Sequence, residues 1–112
     1  MRAATSVYFY KDDIRFFGEG PCRLLRGIEE CGSLRAAAAK MNLSYSKAIT
    51  MVNRAEEALG FHLTEKQIGG KGGGGSRLTP QAIAFLEKYE AYREACYEAN
   101  RKLYLEFFSE QW

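Results

Sequence analysis

The 112 residues are 46% hydrophobic and 13% aromatic with a formal charge of +2, which suits one folded α+β domain and leaves no room for a second. No apolar run approaches the ~18 residues of a membrane span, and Ala3 to Tyr10 is too short and too aromatic for a secretion signal, so a soluble cytoplasmic protein without membrane contact is expected. Cys22, Cys31 and Cys96 are odd in number and lack CxxC spacing, and His62 is the only histidine, so no disulfide framework, metal site or cofactor is expected.

Val7 and Phe9 alternate with Ser6, Tyr8 and Tyr10, Lys11-Asp12-Asp13 interrupts, and Ile14 to Phe17 resumes a β-prone run; this pattern predicts a hairpin. After Gly18 and Gly20, Pro21 suits the first turn of a helix, whose apolar positions are Leu24, Leu25, Ile28 and Cys31 and whose end is Gly32. Ser33 can cap a second helix with an inner face of Leu34, Ala37, Ala38 and Met41. Asn42 and Leu43 form a short turn, and Ser44 caps a third helix from Tyr45 to Leu59, stopped by Gly60.

Two helices joined so closely form the helix-turn-helix pattern, whose second member can enter a DNA major groove. On the third helix, Tyr45, Ala48, Val52, Ala55 and Leu59 share an apolar sector, while Ser46, Lys47, Thr50, Asn53, Arg54 and Glu57 lie opposite. Ser, Thr, Asn, Lys and Arg suit base edges and phosphates; an ordinary amphipathic helix is the competing explanation. Charge leans the same way. Residues 1–34 are net 0, residues 35–77 are net +4 and residues 78–112 are net −2, so a polyanion is drawn to the middle.

Beyond Gly60, Phe61 and Leu63 alternate with His62 and Thr64 before the tract GGKGGGGS at residues 69–76. Lys71 is followed by Gly72 and not by Ser or Thr, which excludes a Walker phosphate loop; a dinucleotide loop lacks its strand and helix flanks. An engineered linker is a further reading, and a hairpin tip bearing Lys66, Lys71 and Arg77, with glycines that let the backbone approach phosphates, is the preferred one. After Pro80 no Gly or Pro interrupts the chain to Phe108, and Ala82, Phe85, Tyr89, Tyr92, Cys96, Ala99 and Leu103 repeat at heptad spacing. Such a helix is about 44 Å long. Its seam predicts a homodimer through Phe85, Tyr89, Tyr92, Cys96 and Leu103, unless the N-terminal hairpin covers it within one chain.

The helix-turn-helix bearing SYSKA (Ser44 to Ala48), FFGEG, the Gly-Ser before the second helix, the glycine tract and the step Leu78-Thr79 together resemble the DNA-binding domain of the ModE family of molybdate-dependent transcription regulators. That domain is similar in turn to the winged helix-turn-helix of LysR-type regulators. The resemblance runs from about Phe16 to Tyr89, with Ile49 where the family usually has Trp. It implies that Ser44, Tyr45, Ser46 and Lys47 open the recognition helix, and that Gly69 to Ser76, including Gly70, Lys71, Gly72 and Gly73, form the wing. ModE proteins bind molybdate in a separate module, for which no residues remain before Trp112, so molybdate binding is not expected.

The chain is therefore expected to be one winged helix-turn-helix domain over 1–112: an N-terminal hairpin (1–20), a three-helix core (21–60), a wing (61–79) and a dimerisation helix (80–110). Duplex-DNA binding by a transcription-regulating homodimer is the leading expectation. The rival is a protein-interaction module that keeps the fold without DNA binding, with a separate chain supplying any effector site. No catalytic residue is expected, since the serines lack a histidine partner and His62 is placed alone in a short strand.

Overall fold

The computed structural model describes residues 1–68 and 75–108. Strands β1 (Phe9–Lys11) and β2 (Ile14–Phe17) form an antiparallel hairpin, followed by helices α1 (Glu19–Cys31), α2 (Leu34–Lys40) and α3 (Tyr45–Leu59). A second antiparallel hairpin, β3 (Thr64–Gln67) with β4 (Gly75–Leu78), leads into the 29-residue helix α4 (Pro80–Phe108). This is an α+β winged helix fold with a long last helix.

Local chemistry sets the helix ends. Ser33 Oγ accepts from the Ala36 N–H at 3.0 Å and Ser44 Oγ from the Lys47 N–H at 3.1 Å, each satisfying one amide that the helix leaves open. Gly32 and Gly60 close α1 and α3 at φ 80° and 81°, the left-handed angles that other residues resist. Helix α1 begins at Glu19, two residues before the expected start at Pro21. Pro21 still falls among the first amides that have no intrahelical partner, since the first such bond runs from Cys22 N–H to Gly18 O at 3.1 Å. Strand β3 also begins later than the alternation from Phe61 implied: Leu63 is 0% exposed, buried under the helices, and His62 lies in an exposed loop and not in a strand.

The core is shared by α1 (Leu24, Leu25, Ile28), α2 (Ala37, Ala38) and α3 (Ala48, Val52, Ala55), and Leu63 and Leu78 complete it. The alanines at the α1, α2 and α3 contacts allow the close approach a helix-turn-helix requires. Phe17, from the β-prone run, is buried as well, and Cys22 and Leu86, which the heptad and helix patterns passed over, complete the packing.

The first hairpin turns through Asp12 and Asp13, at φ 52° and 63°, the paired left-handed angles of a tight two-residue turn. It is anchored on α4. Phe17 meets Phe85 and Tyr89 edge-on at 4.8 Å, and Phe9 contacts Phe85, Tyr89 and Tyr92 at 5.3 to 6.1 Å. Residues before the hairpin continue along α4: the Tyr89 hydroxyl donates to Val7 O at 2.9 Å, and Asn100 Nδ2 donates to Ala3 O at 2.9 Å. The chain thus covers the near half of its own heptad seam.

A polar clamp joins α1 to α4. Arg26 grips the Glu90 carboxylate with Nε at 3.1 Å and Nη2 at 2.6 Å, and the Cys22 thiol lies 3.8 Å from the same carboxylate. The arginine's hydrogen bonds hold the Glu90 pKa below the usual carboxylate value. A carboxylate with a depressed folded pKa adds stability that is present above its unfolded pKa, about 4.3, and is lost as pH falls through the folded value. Glu90→Gln is expected to lower stability at pH 7 by about 1–3 kcal/mol, with the difference from wild type shrinking below pH 4 in urea titrations. A difference that stays constant across that range would show that the charge of Glu90 is not what holds the two helices.

Candidate nucleic-acid interface

Helix α3 presents Ser46, Thr50, Asn53 and Glu57 within about 60° of one another at 100° per residue, and all four are exposed, as are Ser44, Lys47 and Arg54. Opposite them Ala48, Val52 and Ala55 are buried, so the expected division of faces is observed. Two details refine it. Tyr45, expected in the apolar sector, is 40% exposed, because the Arg35 guanidinium stacks on its ring at 4.1 Å from the centroid and holds it at the surface. Thr50 Oγ1 donates to Ser46 O at 3.0 Å, so its proton is committed to the helix and its hydroxyl faces outward as an acceptor.

The β3–β4 hairpin lies at the N-terminal end of α3. Its register pairs Thr64 with Leu78, Glu65 with Arg77, Lys66 with Ser76 and Gln67 with Gly75. The hairpin is tied to the end of α1, because the Ser76 N–H donates to Gly32 O at 2.9 Å. Gly75 permits that contact: a Cβ there would overlap the same Gly32 carbonyl oxygen. A groove of about 300 Å³ runs between this hairpin and the helices, with Ser33, Arg35, Tyr45, Lys66 and Ser76 along it. The structure therefore brings Tyr45, Lys66 and Ser76 together. Gly70, Lys71, Gly72 and Gly73 lie outside the described residues. Arg77 Nε contacts Glu65 Oε1 at 2.8 Å across the ladder; both side chains are largely exposed, so the pair is weak and the guanidinium can exchange its partner. Arg35 belongs to this cluster and was not singled out from the sequence. The signal was its place one residue into α2, beside the helix that carries Tyr45.

Arg26, Lys40, Arg93, Arg101 and Lys102, on α1, α2 and α4, each face a carboxylate within 4.0 Å. Among the described residues, Arg15, Arg35, Lys47, Arg54 and Lys66 are in no ion pair. These five lie on α3 and on what flanks it; Arg2, Lys11, Arg23 on α1 and Lys88 on α4 are likewise in no ion pair among the described residues.

The residues that could do chemistry elsewhere are occupied. Burial pushes the Cys22 thiol up to about 11, so it carries almost no thiolate at neutral pH. Burial likewise raises the Tyr89 hydroxyl to about 12. Glu56 Oε2 accepts the Leu63 N–H at 2.7 Å and lies 3.5 Å from His62 Nδ1, a contact that pins the entry to β3. Among the described residues no group of three or more His, Cys, Asp or Glu side chains could hold a metal ion, and no helix is long and apolar enough to cross a membrane.

Of the residues expected at a dimer seam, Phe85 and Tyr89 are packed inside the chain, Tyr89 at 2% exposure. The β1–β2 hairpin fills the near half of the stripe, the cover within one chain that the sequence leaves as the alternative to a dimer seam. Cys96 is half-buried, while Tyr92 and Leu103 stay exposed at 53% and 54%, and Phe107 follows on the same face of α4. An apolar groove of about 320 Å³ opens between Phe9 and the α4 residues Phe85, Lys88 and Tyr92.

Residues 22–83 match the family described as bacterial regulatory helix-turn-helix protein, lysR family. The chain is 40% identical over 74 residues to the molybdenum transport protein ModE of Herbaspirillum seropedicae, which covers 66% of this chain and 26% of that protein. It is 37% identical over 68 residues to the transcriptional regulator ModE of Haemophilus influenzae, covering 61% of this chain and 27% of that one. The matched region is thus about a quarter of the length of these relatives.

Proposed function

The chain belongs to the LysR-type family of bacterial regulatory helix-turn-helix proteins, and from that premise we propose that it is a sequence-specific duplex-DNA-binding regulator of transcription, ModE-like, binding through its winged helix-turn-helix and working as a homodimer. The observation that carries this reading is the stripe of exposed polar side chains on α3, edged by Arg35, Lys47, Arg54 and Lys66, which are in no ion pair among the described residues. Ser44, Tyr45, Ser46 and Lys47 enter the major groove first, and Thr50, Asn53 and Arg54 follow along the helix. Asn53 can read an adenine edge in two hydrogen bonds, and Lys47 can reach guanine or a phosphate. Lys66, Ser76, Arg77 and Arg35 hold the flanking backbone, and Lys71 with Gly70, Gly72 and Gly73, by the resemblance to the family, adds to those backbone contacts. The seam left uncovered at Tyr92, Cys96 and Leu103 supports pairing of two copies. The operator is then pseudo-palindromic, with half-site centres about 34–36 Å apart or a multiple of that. The molybdenum in one relative's name belongs to that protein, and no site for it is assigned to this chain.

Selection from a random duplex pool, followed by titration at several salt concentrations, tests the reading. Wild type is expected to enrich one symmetric sequence, with affinity falling steeply as salt rises, and Lys47→Ala to bind it roughly tenfold more weakly. Failure of the wild type to retain any duplex at low salt would instead favour the protein-interaction module.

A further inference from the structure

Resting on the DNA-binding reading, the wing is one wall of the α3 face, and the β1–β2 hairpin is the other. Around the helix, Lys47, Arg54 and Ala58 turn toward the first hairpin, whereas Tyr45 and Glu56 turn toward the wing. The contacts agree: Lys11 Nζ donates to Ala58 O at 3.0 Å on one side, and Glu56 bonds Leu63 N–H on the other. A cleft of about 270 Å³ separates β2 from α3, with Arg15 on the strand side and Arg54 on the helix side.

We infer that the N-terminal hairpin is a second backbone-contacting wall, in which Arg15 and Arg54 together hold a phosphate of the DNA strand on the side of the major groove away from the wing. An α-helix with its side chains is about 10–12 Å across and the groove about 12 Å wide, so a helix seated there leaves both phosphate edges within reach of whatever flanks it. The two flanks carry the same device. Arg15 stands over the Tyr8 ring at 4.4 Å, as Arg35 stands over Tyr45 at 4.1 Å, so each guanidinium is held on an aromatic face before a phosphate arrives. Arg15 and Arg54 are in no ion pair among the described residues, and the acid in their cleft, Glu19, is held by Arg93 at 3.0 Å. Carboxylates sit elsewhere on the hairpin side: Asp12 and Asp13 at the turn, and Glu57 in the adjoining groove with Lys11. They repel a phosphate from the tip and leave the Arg15 end as its seat. The hairpin is a fixed wall and not a loose arm, because Phe9 and Phe17 anchor it on α4.

The experiment measures equilibrium binding of wild type, Arg15→Gln, Arg15→Lys and Lys47→Ala to the selected duplex and to an unrelated duplex across a salt series. Arg15→Gln is expected to weaken both duplexes by the same factor, roughly tenfold, and to make the slope of log affinity against log salt shallower by about one. Arg15→Lys keeps the slope while losing part of the affinity, since the charge remains and the planar fork does not. Wild-type affinity and slope for Arg15→Gln, with Lys47→Ala impaired, would overturn the second wall and leave the regulator reading standing. Absence of duplex binding by the wild type would remove both.

Discussion

Leu103→Glu is expected to convert the protein to a monomer and to weaken operator binding by on the order of 100-fold or more. Leu103 is 54% exposed and lies three residues beyond Asn100, whose side chain bonds Ala3 O, so the substitution falls outside the buried core of one chain. In a pair of helices it would bury two carboxylates in an apolar seam without partners, which association cannot offset. The loss on DNA comes from geometry. A dimer binds its second half-site at the high effective concentration set by the first, and a monomer forgoes that factor of 10² to 10⁴. Sedimentation at micromolar concentration reads the mass directly. A Leu103→Glu protein that keeps the wild-type mass would place the interface elsewhere, and one that is monomeric with undiminished operator affinity would separate dimerisation from binding.

Phe17→Ala carries the largest expected cost in stability, about 3–5 kcal/mol against a total of roughly 5–15 for a domain of this kind. The ring is 1% exposed and meets Phe85 and Tyr89 edge-on at 4.8 Å, so its removal empties the junction of hairpin and α4 and forfeits two favourable aromatic contacts. Urea denaturation should show a lowered midpoint with an unchanged slope. A loss below about 1 kcal/mol would mean that the hairpin is not anchored by this residue.

The features legible in the sequence are those decided locally. Ser33, Gly32, Ser44 and Gly60 bound their helices as read, because caps depend on a side chain and the amides two or three residues away. The polar stripe of α3 was legible for the same reason, through helical period alone. Tyr45 was misplaced because its position is settled by Arg35, a residue of another helix. Leu86 escaped notice because the heptad pattern selects one stripe, whereas the start of α4 is enclosed on more than one side. The destination of the first hairpin could not be read at all: its alternation predicts strands, but only the folded chain brings Phe9 and Phe17 to Phe85 and Tyr89. Arg15 could not be recognised as a neighbour of Arg54 for the same reason.

The ties from Val7 to Tyr89 and from Ala3 to Asn100 span 82 and 97 residues of sequence. At synthesis rates of about 5–20 residues per second, the partners of the first few residues are not made until on the order of 10 s later. The helix-turn-helix, whose contacts are near in sequence, can assemble while the chain is still attached to the ribosome; the aromatic faces of the first hairpin cannot be covered by α4 until much later. During that interval Phe9 and Phe17 are open to other nascent chains, and the paired aspartates at the far, turn end of the hairpin place charge on the same short ribbon, where it discourages edge-to-edge association.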